Sequence, residues 1–116
     1  MRTETDTERE ARHSATIAAY RAQVDPDRPP KKPFLLEHHF YSPDEGDVTG
    51  LTTVLEEKGF RIDTFAYNPD DPVKTWVVVA VKLDLLEERR LLALSDELDE
   101  LARQFETVYD GWLTRV

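Results

Sequence analysis

The composition of this 116-residue chain restricts both its location and its chemistry. It contains no cysteine, which excludes disulfides, thiolate zinc sites and a cysteine nucleophile and suits a reducing compartment. No stretch approaches the roughly 20 apolar residues that span a bilayer, and the N-terminus lacks the apolar run of a signal peptide. We therefore expect one folded domain in the cytoplasm, without membrane contact.

The net charge of −9 is unevenly distributed. Residues 1–33 carry seven basic and six acidic side chains, whereas residues 34–116 carry eight basic and eighteen acidic ones. Such an acidic surface repels phosphate backbones and attracts basic protein segments, so we predict no direct nucleic-acid binding. The simpler alternative is that the charge serves solubility.

The first predicted element is a helix over residues 5–24. The segment is rich in alanine and begins with Thr7-x-x-Glu10, the spacing of a capping box. Its thin apolar stripe consists of Ile17, Tyr20 and Val24. We therefore expect this helix to dock weakly on the rest of the protein.

A proline-rich segment follows at residues 25–33. Four of its residues are proline, which forbids helix and favours an extended linker. The sequence thus predicts two parts: an N-terminal helix and linker over residues 1–33, and a βαββαβ domain over residues 34–116.

The domain begins with a predicted strand over residues 34–41, followed by a helix. One face of the strand carries Phe34, Leu36, His38 and Phe40. Ser42 as an N-cap, with Glu45 three residues later, predicts the helix start, and Gly59 is placed to end it. The stripe expected to be buried is Val48, Leu51 and Leu55.

Two further strands are predicted over residues 60–67 and 75–83, with a turn between them. Alternation places Phe60, Ile62, Thr64 and Ala66 on one face of the first. The second is a continuous apolar run, typical of an interior strand buried on both sides. We expect it in the middle of the sheet.

The strongest helical periodicity follows, beginning after a predicted Asp84 cap. Its apolar stripe is Leu91, Leu94, Leu98, Leu101 and Phe105. Its opposite face, predicted to be solvated, carries Asp96, Asp99, Glu100 and Arg103. A last strand is predicted over residues 107–115, around Gly111.

The order of these elements predicts an α+β fold: a ferredoxin-like split βαβ sandwich, with an antiparallel sheet, two helices on one face and an extra N-terminal helix.

The chain shows no catalytic machinery. No serine lies in a Gly-x-Ser-x-Gly elbow, and the glycines fit neither a P-loop nor a dinucleotide fingerprint. There is no His-Glu-x-x-His, calcium-loop or zinc pattern. We therefore predict no enzymatic activity, no catalytic residue and no cofactor.

The best candidate for metal chemistry is Glu37-His38-His39. Adjacent histidines of a strand point to opposite faces, so His38 and His39 cannot readily share one metal ion. Glu37 and His39 lie on one face, but a third ligand is lacking. We predict no metal site and favour a structural role, with one histidine under a helix and the other on the sheet surface.

Tyr109-Asp110-Gly111-Trp112 is the second unusual motif. Large aromatic residues with polar tips around a glycine are typical of binding hot spots. The alternative is a packing corner that closes the edge of the sheet. Because aromatic residues of small domains are mostly core, packing is favoured on the sequence alone.

Three motifs occur in order along the chain: Phe34-Leu35-Leu36-Glu37-His38-His39-Phe40, Ser42-Pro43-Asp44-Glu45, and Tyr109-Asp110-Gly111-Trp112 after an acidic amphipathic helix. Their order and spacing resemble the regulator of ribonuclease activity B family of ribonuclease E inhibitor proteins. The N-terminal helix and linker match the family in layout, so the resemblance spans nearly the whole chain.

The resemblance implies a protein that binds ribonuclease E outside its catalytic core and restrains RNA cleavage by contact alone. The expected partner is therefore a ribonuclease E-like protein. Some family members carry a long acidic tail after the last motif, whereas this sequence ends at Val116. Candidate partner-binding residues are Glu37, His39, Asp96, Asp99, Glu100, Tyr109, Asp110 and Trp112.

Two other functions remain open at this stage. The first is a small-molecule-binding or sensor module, because split βαβ domains often hold ligands where two sheets meet. The second is an enzyme or metal protein that uses His38, His39 and Asp110. Exposed strand edges also leave open whether the protein is a monomer or a homodimer.

Overall fold

The computed structural model describes residues 3–25, 27–28 and 30–115. Seven elements follow one another within them: α1 (Asp6–Gln23), β1 (Phe34–Ser42), α2 (Glu45–Glu57), β2 (Arg61–Tyr67), β3 (Trp76–Asp84), α3 (Glu88–Gln104) and β4 (Val108–Arg115). The predicted α+β class and the order of one helix followed by βαββαβ are confirmed.

The four strands form one antiparallel sheet in the order β2-β3-β1-β4. β1 and β3 pair along their full lengths, from Phe34 opposite Asp84 to Ser42 opposite Trp76. β3 therefore lies inside the sheet, as its apolar run predicts, and β2 and β4 are the two edges.

Helices α2 and α3 pack on the same face of the sheet. Leu36, His38 and Phe40 of β1 point to this face and are fully buried, because alternate residues of a strand share a side. The main core cluster combines strand residues with both helices: Phe40, Val48, Leu51, Leu55, Phe60, Val78, Ala80, Leu94, Leu98, Leu101, Ala102 and Tyr109. The stripe predicted for α2 is thus confirmed.

The N-terminal helix α1 packs against α3 and β4. Its C-terminal part completes a second apolar cluster, in which Tyr20 and Val24 cover Leu91 and Trp112. The predicted extended linker is wrong at its start, because the Arg28 amide donates to the Asp25 carbonyl in a turn. Pro26 and Pro29 of the predicted linker lie outside the described residues.

The starts of all three helices differ from the predicted ones. The capping box of α1 is Thr5 with Glu8, because the same spacing occurs two residues before Thr7. Helix α2 is capped by Asp44, since Ser42 is still paired in β1. Similarly, α3 begins at Glu88 because Asp84 is the last residue of β3 and its carboxylate binds Arg90.

A β-bulge makes the predicted faces of β2 wrong beyond Ile62. Ile62 pairs with Ala80, but Thr64 pairs with the next residue back, Val79, so one extra residue is inserted at Asp63. The insertion moves Thr64 to the other side of the sheet. Phe65 thereby joins the face on which Ile62 lies.

Candidate functional site

A bulge in β4 places Tyr109 and Trp112 on the same face of the sheet. Tyr109 pairs with Phe40 and Trp112 with His38, so two residues of β4 stand where β1 has one. Residues three apart in a regular strand point to opposite sides, and the inserted residue reverses this alternation. Gly111 adopts a φ of 97°, a conformation that glycine accepts without strain.

Both aromatic rings of the motif are therefore buried, and Asp110 alone is exposed. The Tyr109 hydroxyl lies 3.0 Å from Nδ1 of His38, which is also buried. Burial lowers the pKa of His38 to about 4, so its ring is neutral at physiological pH. Trp112 packs in the second apolar cluster, and its Nε1 has no hydrogen-bond partner among the described residues.

Arg12 joins α1 to α3 beside the Tyr109-Asp110-Gly111-Trp112 motif of β4. Its guanidinium donates to Glu4 at 2.7 and 2.8 Å, to Ser95 at 2.6 Å and to Asp96 at 2.8 Å. The hydrogen bond from Arg12 lowers the pKa of Glu4 to about 2. His13 adds a 2.7 Å contact with Asp96, and although partial burial opposes them, the bonds from His13 and Arg12 lower the pKa of Asp96. These carboxylates are ionised at neutral pH.

Asp99 is buried in the same cluster, so the prediction that it faces solvent is wrong. The Arg103 Nε donates to its carboxylate at 2.8 Å, and Arg12 lies 3.8 Å away. The helical wheel correctly places Asp99 away from the sheet. However, α1 covers that side of α3, and the two arginines compensate the buried charge.

A groove of about 550 Å³ lies between α1, α3 and β4. Arg12 and Ala15 form its α1 wall, Asp99 and Arg103 its α3 wall, and the four residues of the β4 motif its floor. The groove brings together four of the candidate residues: Asp99, Tyr109, Asp110 and Trp112. Asp96 and Glu100 line a neighbouring hollow of about 350 Å³ together with Asp99.

The two remaining candidates, Glu37 and His39, lie on the opposite face of the sheet. Glu37 accepts one hydrogen bond from the Arg115 Nε at 2.6 Å and lies 3.2 Å from His39 Nε2. Arg115 also binds Asp63, the residue at the β2 bulge, at 2.8 Å. The hydrogen bond from Arg115 lowers the pKa of Glu37, with a smaller effect from His39. This face and the groove are therefore separate surfaces.

Sequence reasoning missed the cations that hold both surfaces together. Arg12 and Arg115 each bridge elements far apart in the chain, by 83 residues from Arg12 to Ser95 and by 78 from Arg115 to Glu37. For Arg12 the sequence did contain a signal, because Arg12 and Thr16 lie one helical turn apart and therefore share one side of α1. Which element that side meets is decided only by the tertiary packing.

The described residues also set limits on other chemistry. No three of their histidine, aspartate or glutamate side chains lie close enough together to hold a metal ion. Within the same part of the chain, no helix is both long and apolar enough to cross a membrane.

Comparison with known proteins agrees with the order of motifs along the chain. A family model described as regulator of ribonuclease activity B matches residues 10–114, from the first part of α1 to the penultimate residue of β4. The chain belongs to this family. No curated protein matches the sequence. The matched residues include all of α3 and the β4 motif. Regulation of ribonuclease activity is therefore the function of the family to which this protein belongs.

Proposed function

We propose that this protein binds a ribonuclease E-like enzyme in the cytoplasm and slows its cleavage of RNA by contact alone. The observation that carries the proposal is the family match over residues 10–114. The net charge of −9 supports it, because an acidic protein is repelled by RNA and attracted to basic protein segments. The absence of cysteine agrees with a reducing compartment.

We propose that the exposed carboxylates beside the groove make the first contact with the enzyme. Asp96 and Glu100 of α3 and Asp110 of β4 are exposed on the sides of the groove and its neighbouring hollow. Charged groups at the rim of an interface mainly accelerate association. Glu37 and His39, on the other face of the sheet, form a second candidate contact.

The buried candidates take a supporting role in this proposal. Asp99 fixes Arg12 and Arg103, and Tyr109 and Trp112 form the floor between α3 and β4. Rings buried in the free protein can reach a partner only along the groove. Substitution of Tyr109 or Trp112 should therefore alter the shape of the groove before it removes any direct contact with a partner.

We also propose that the fold is ferredoxin-like and that the protein has no catalytic activity. The strand order β2-β3-β1-β4 supports the fold, because each βαβ unit is split by an antiparallel strand. The regulatory description of the family supports the absence of catalysis. The division into residues 1–33 and 34–116 belongs to this proposal, with α1 as an accessory helix on a βαββαβ domain.

Equilibrium binding tests the proposed function. The purified chain should bind the ribonuclease of its own organism in isothermal titration calorimetry, with an affinity that falls as salt rises. Fluorescence anisotropy with a labelled single-stranded RNA should show no binding at physiological salt. Tight RNA binding, or no heat with the ribonuclease at saturating concentration, contradicts the proposal.

The groove supports a second candidate, a small-molecule-binding or sensor module. Its volume of about 550 Å³ is within the range of ligand sites, and its lining includes Trp112, whose buried Nε1 has no hydrogen-bond partner in the part of the chain that the structure describes. A thermal-shift screen with nucleotides and amino acids tests this function. A ligand that stabilises the wild type but not Ala15→Trp, whose added ring fills the groove, would favour it over macromolecular binding.

A further inference from the structure

Three aromatic rings form a ladder across the hairpin of β2 and β3. Tyr67 stacks on Trp76 with ring centroids 4.7 Å apart, and Phe65 meets the same ring edge-on at 5.7 Å. Trp76 is half-buried against the main core, whereas Phe65 and Tyr67 are 40% and 59% exposed. A core cluster does not leave two large rings this open to solvent, so the ladder presents an aromatic surface.

The ladder lies on an open edge of the sheet. β2 pairs only with β3 in the described sheet, so its outer side offers unpaired backbone groups. The devices that usually protect an edge are confined to its first half, where Arg61 and Asp63 are charged and the bulge interrupts the register. Residues 64–67 are uncharged and pair regularly with β3. A further strand can therefore add to them.

The surroundings of the ladder are acidic. Trp76 pairs with Ser42, so the segment that leads into α2, with Asp44 and Asp47, leaves the sheet at this end. Desolvation raises the pKa of Asp47, and the neighbouring charges of Asp44 and Glu106 raise it further. Asp70 and Asp71 add two further carboxylates in the hairpin loop.

Lys74 of the hairpin loop neutralises this end of the sheet only in part, because its ammonium pairs with Asp110 and acts more weakly on Asp71. The Lys74 ammonium lies 3.2 Å from the Asp110 carboxylate and 5.0 Å above the ring of Tyr41. An incoming arginine would therefore meet a concentration of negative charge beside an exposed aromatic face, although Asp44 accepts the Asp47 amide and Asp71 the amides of Val73 and Lys74. Such surroundings favour cation–π stacking.

We propose that residues 64–67 of β2 bind an extended, arginine-containing protein segment, which adds to the sheet as a fifth strand and stacks its guanidinium groups on Phe65 and Tyr67. Backbone pairing supplies affinity in such strand addition, and side-chain pockets supply selectivity. That the segment belongs to a ribonuclease rests on the proposed function. The docking site itself rests on the open edge, the aromatic ladder and the acidic surroundings.

Amide chemical shifts and hydrogen exchange of the full chain test the site directly. The probe is an acetylated peptide of alternating arginine and valine, with an alternating glutamate and valine peptide as its control. The arginine peptide should shift the amides of residues 64–67 most strongly and slow their exchange. Larger shifts in α3, or equal binding of the glutamate peptide, would overturn the proposal.

Variants of equally exposed apolar residues provide the matched comparison. Phe65→Ser with Tyr67→Ser should weaken peptide binding about tenfold, since two stacking contacts are lost. Leu83→Ser with Leu113→Ser, at residues 61% and 54% exposed on other strands, should change it less than twofold. An equal loss of peptide affinity in the two double variants, with native circular dichroism spectra for both, contradicts the proposal. So does a single-stranded RNA that binds residues 64–67 more tightly than the arginine peptide does.

The same proteins separate this inference from the proposed function. If the wild type slows the ribonuclease but the peptide leaves residues 64–67 unprotected, the docking site is wrong and the proposed function stands. If the peptide protects these residues while RNA cleavage is unchanged by the wild type, the docking site stands and the ribonuclease is the wrong partner.

Discussion

The Tyr109 hydroxyl and Nδ1 of His38 lie 3.0 Å apart between the sheet and its helices. They come from neighbouring strands, and both side chains are buried. Phe60 meets the His38 ring edge-on at 5.7 Å, so apolar contacts surround the imidazole. This pair connects the two most unusual motifs of the sequence, and it makes the stability of the core dependent on one protonation state.

The stability of the protein should fall as pH drops from 7 to 5. Burial lowers the pKa of His38 to about 4 from 6.5, so the unfolded chain binds a proton in this window and the folded chain does not. Stability from this group is complete above pH 6.5 and is lost as pH falls towards 4. Urea denaturation should show a loss of about 2 kcal/mol between pH 7 and pH 5.

His38→Leu provides the control for that experiment, because it keeps an apolar side chain of similar size and removes the titration. Carboxylates with lowered pKa values, such as Glu4 and Glu37, change the free energy of unfolding mostly below pH 5, and they do so equally in the wild type and in the variant. A loss between pH 7 and pH 5 of equal size in the variant would show that His38 is not the titrating group.

Substitutions at Gly111 test the β4 bulge. A Cβ atom there meets nothing within 4 Å, so the cost of a side chain comes from the φ of 97° alone. Gly111→Val should lower the free energy of unfolding by about 1–2 kcal/mol, and Gly111→Asn by less, since asparagine tolerates positive φ better. Denaturant titration of both variants measures the difference. Equal stability of Gly111→Val and the wild type contradicts the bulge.

The bulges mark the limit of what the sequence could predict about the strands. Strict alternation predicts the buried face of β1 correctly, from Leu36 to Phe40. In β2 and β4 the inserted residues, Asp63 and the Asp110–Gly111 step, reverse that alternation. Asp63 gives no local signal of a bulge. Gly111 does give one, because glycine inside a strand often marks such an insertion.

The same limit applies to the polar cluster of the candidate site. The stripe of α3 from Leu91 to Leu101 is predictable because its partner, the sheet, needs only a periodic apolar face. The burial of Asp99 was not predictable, because it depends on the docking of α1, whose Arg12 binds Ser95 and Asp96 across 83 and 84 positions of the sequence. Long-range pairing of charged side chains leaves no periodic signal in a single sequence.

Residues 34–116 should fold without the N-terminal segment. Removal of α1 exposes Leu91 and Trp112 of the second cluster but leaves the main core and the Arg103–Asp99 ion pair intact. Thermal denaturation followed by circular dichroism should show a cooperative transition, with stability reduced by about 2–4 kcal/mol. Tyr20→Ala in the full chain removes one contact of α1 with the second cluster, so it should lower the stability by only part of that amount. A truncated chain without a cooperative transition would show that α1 belongs to the folding unit.

Charge reversal on the exposed side of α3 should weaken binding to the ribonuclease in a salt-dependent way. Glu100 is suited to this test because it is exposed, unlike Asp99, whose reversal would disrupt the arginine cluster. Glu100→Lys should lower the association rate several-fold at low salt and less at high salt, because ions screen surface charge. Glu87→Lys, about 20 Å away along the helix axis, is the control. If both substitutions lower the association rate equally, the net charge of the protein and not the position of Glu100 determines the rate.

The rate of RNA cleavage by the ribonuclease of the same organism is the most direct test of the central claim. A purified ribonuclease and a labelled RNA substrate are mixed with increasing concentrations of the full chain, and initial rates are followed on gels. We predict that the rate falls to a plateau as the chain saturates the enzyme, and that added RNA substrate does not bind the chain. An unchanged rate at saturating concentration, or inhibition that disappears when the RNA is in excess of the chain, would contradict regulation by protein contact.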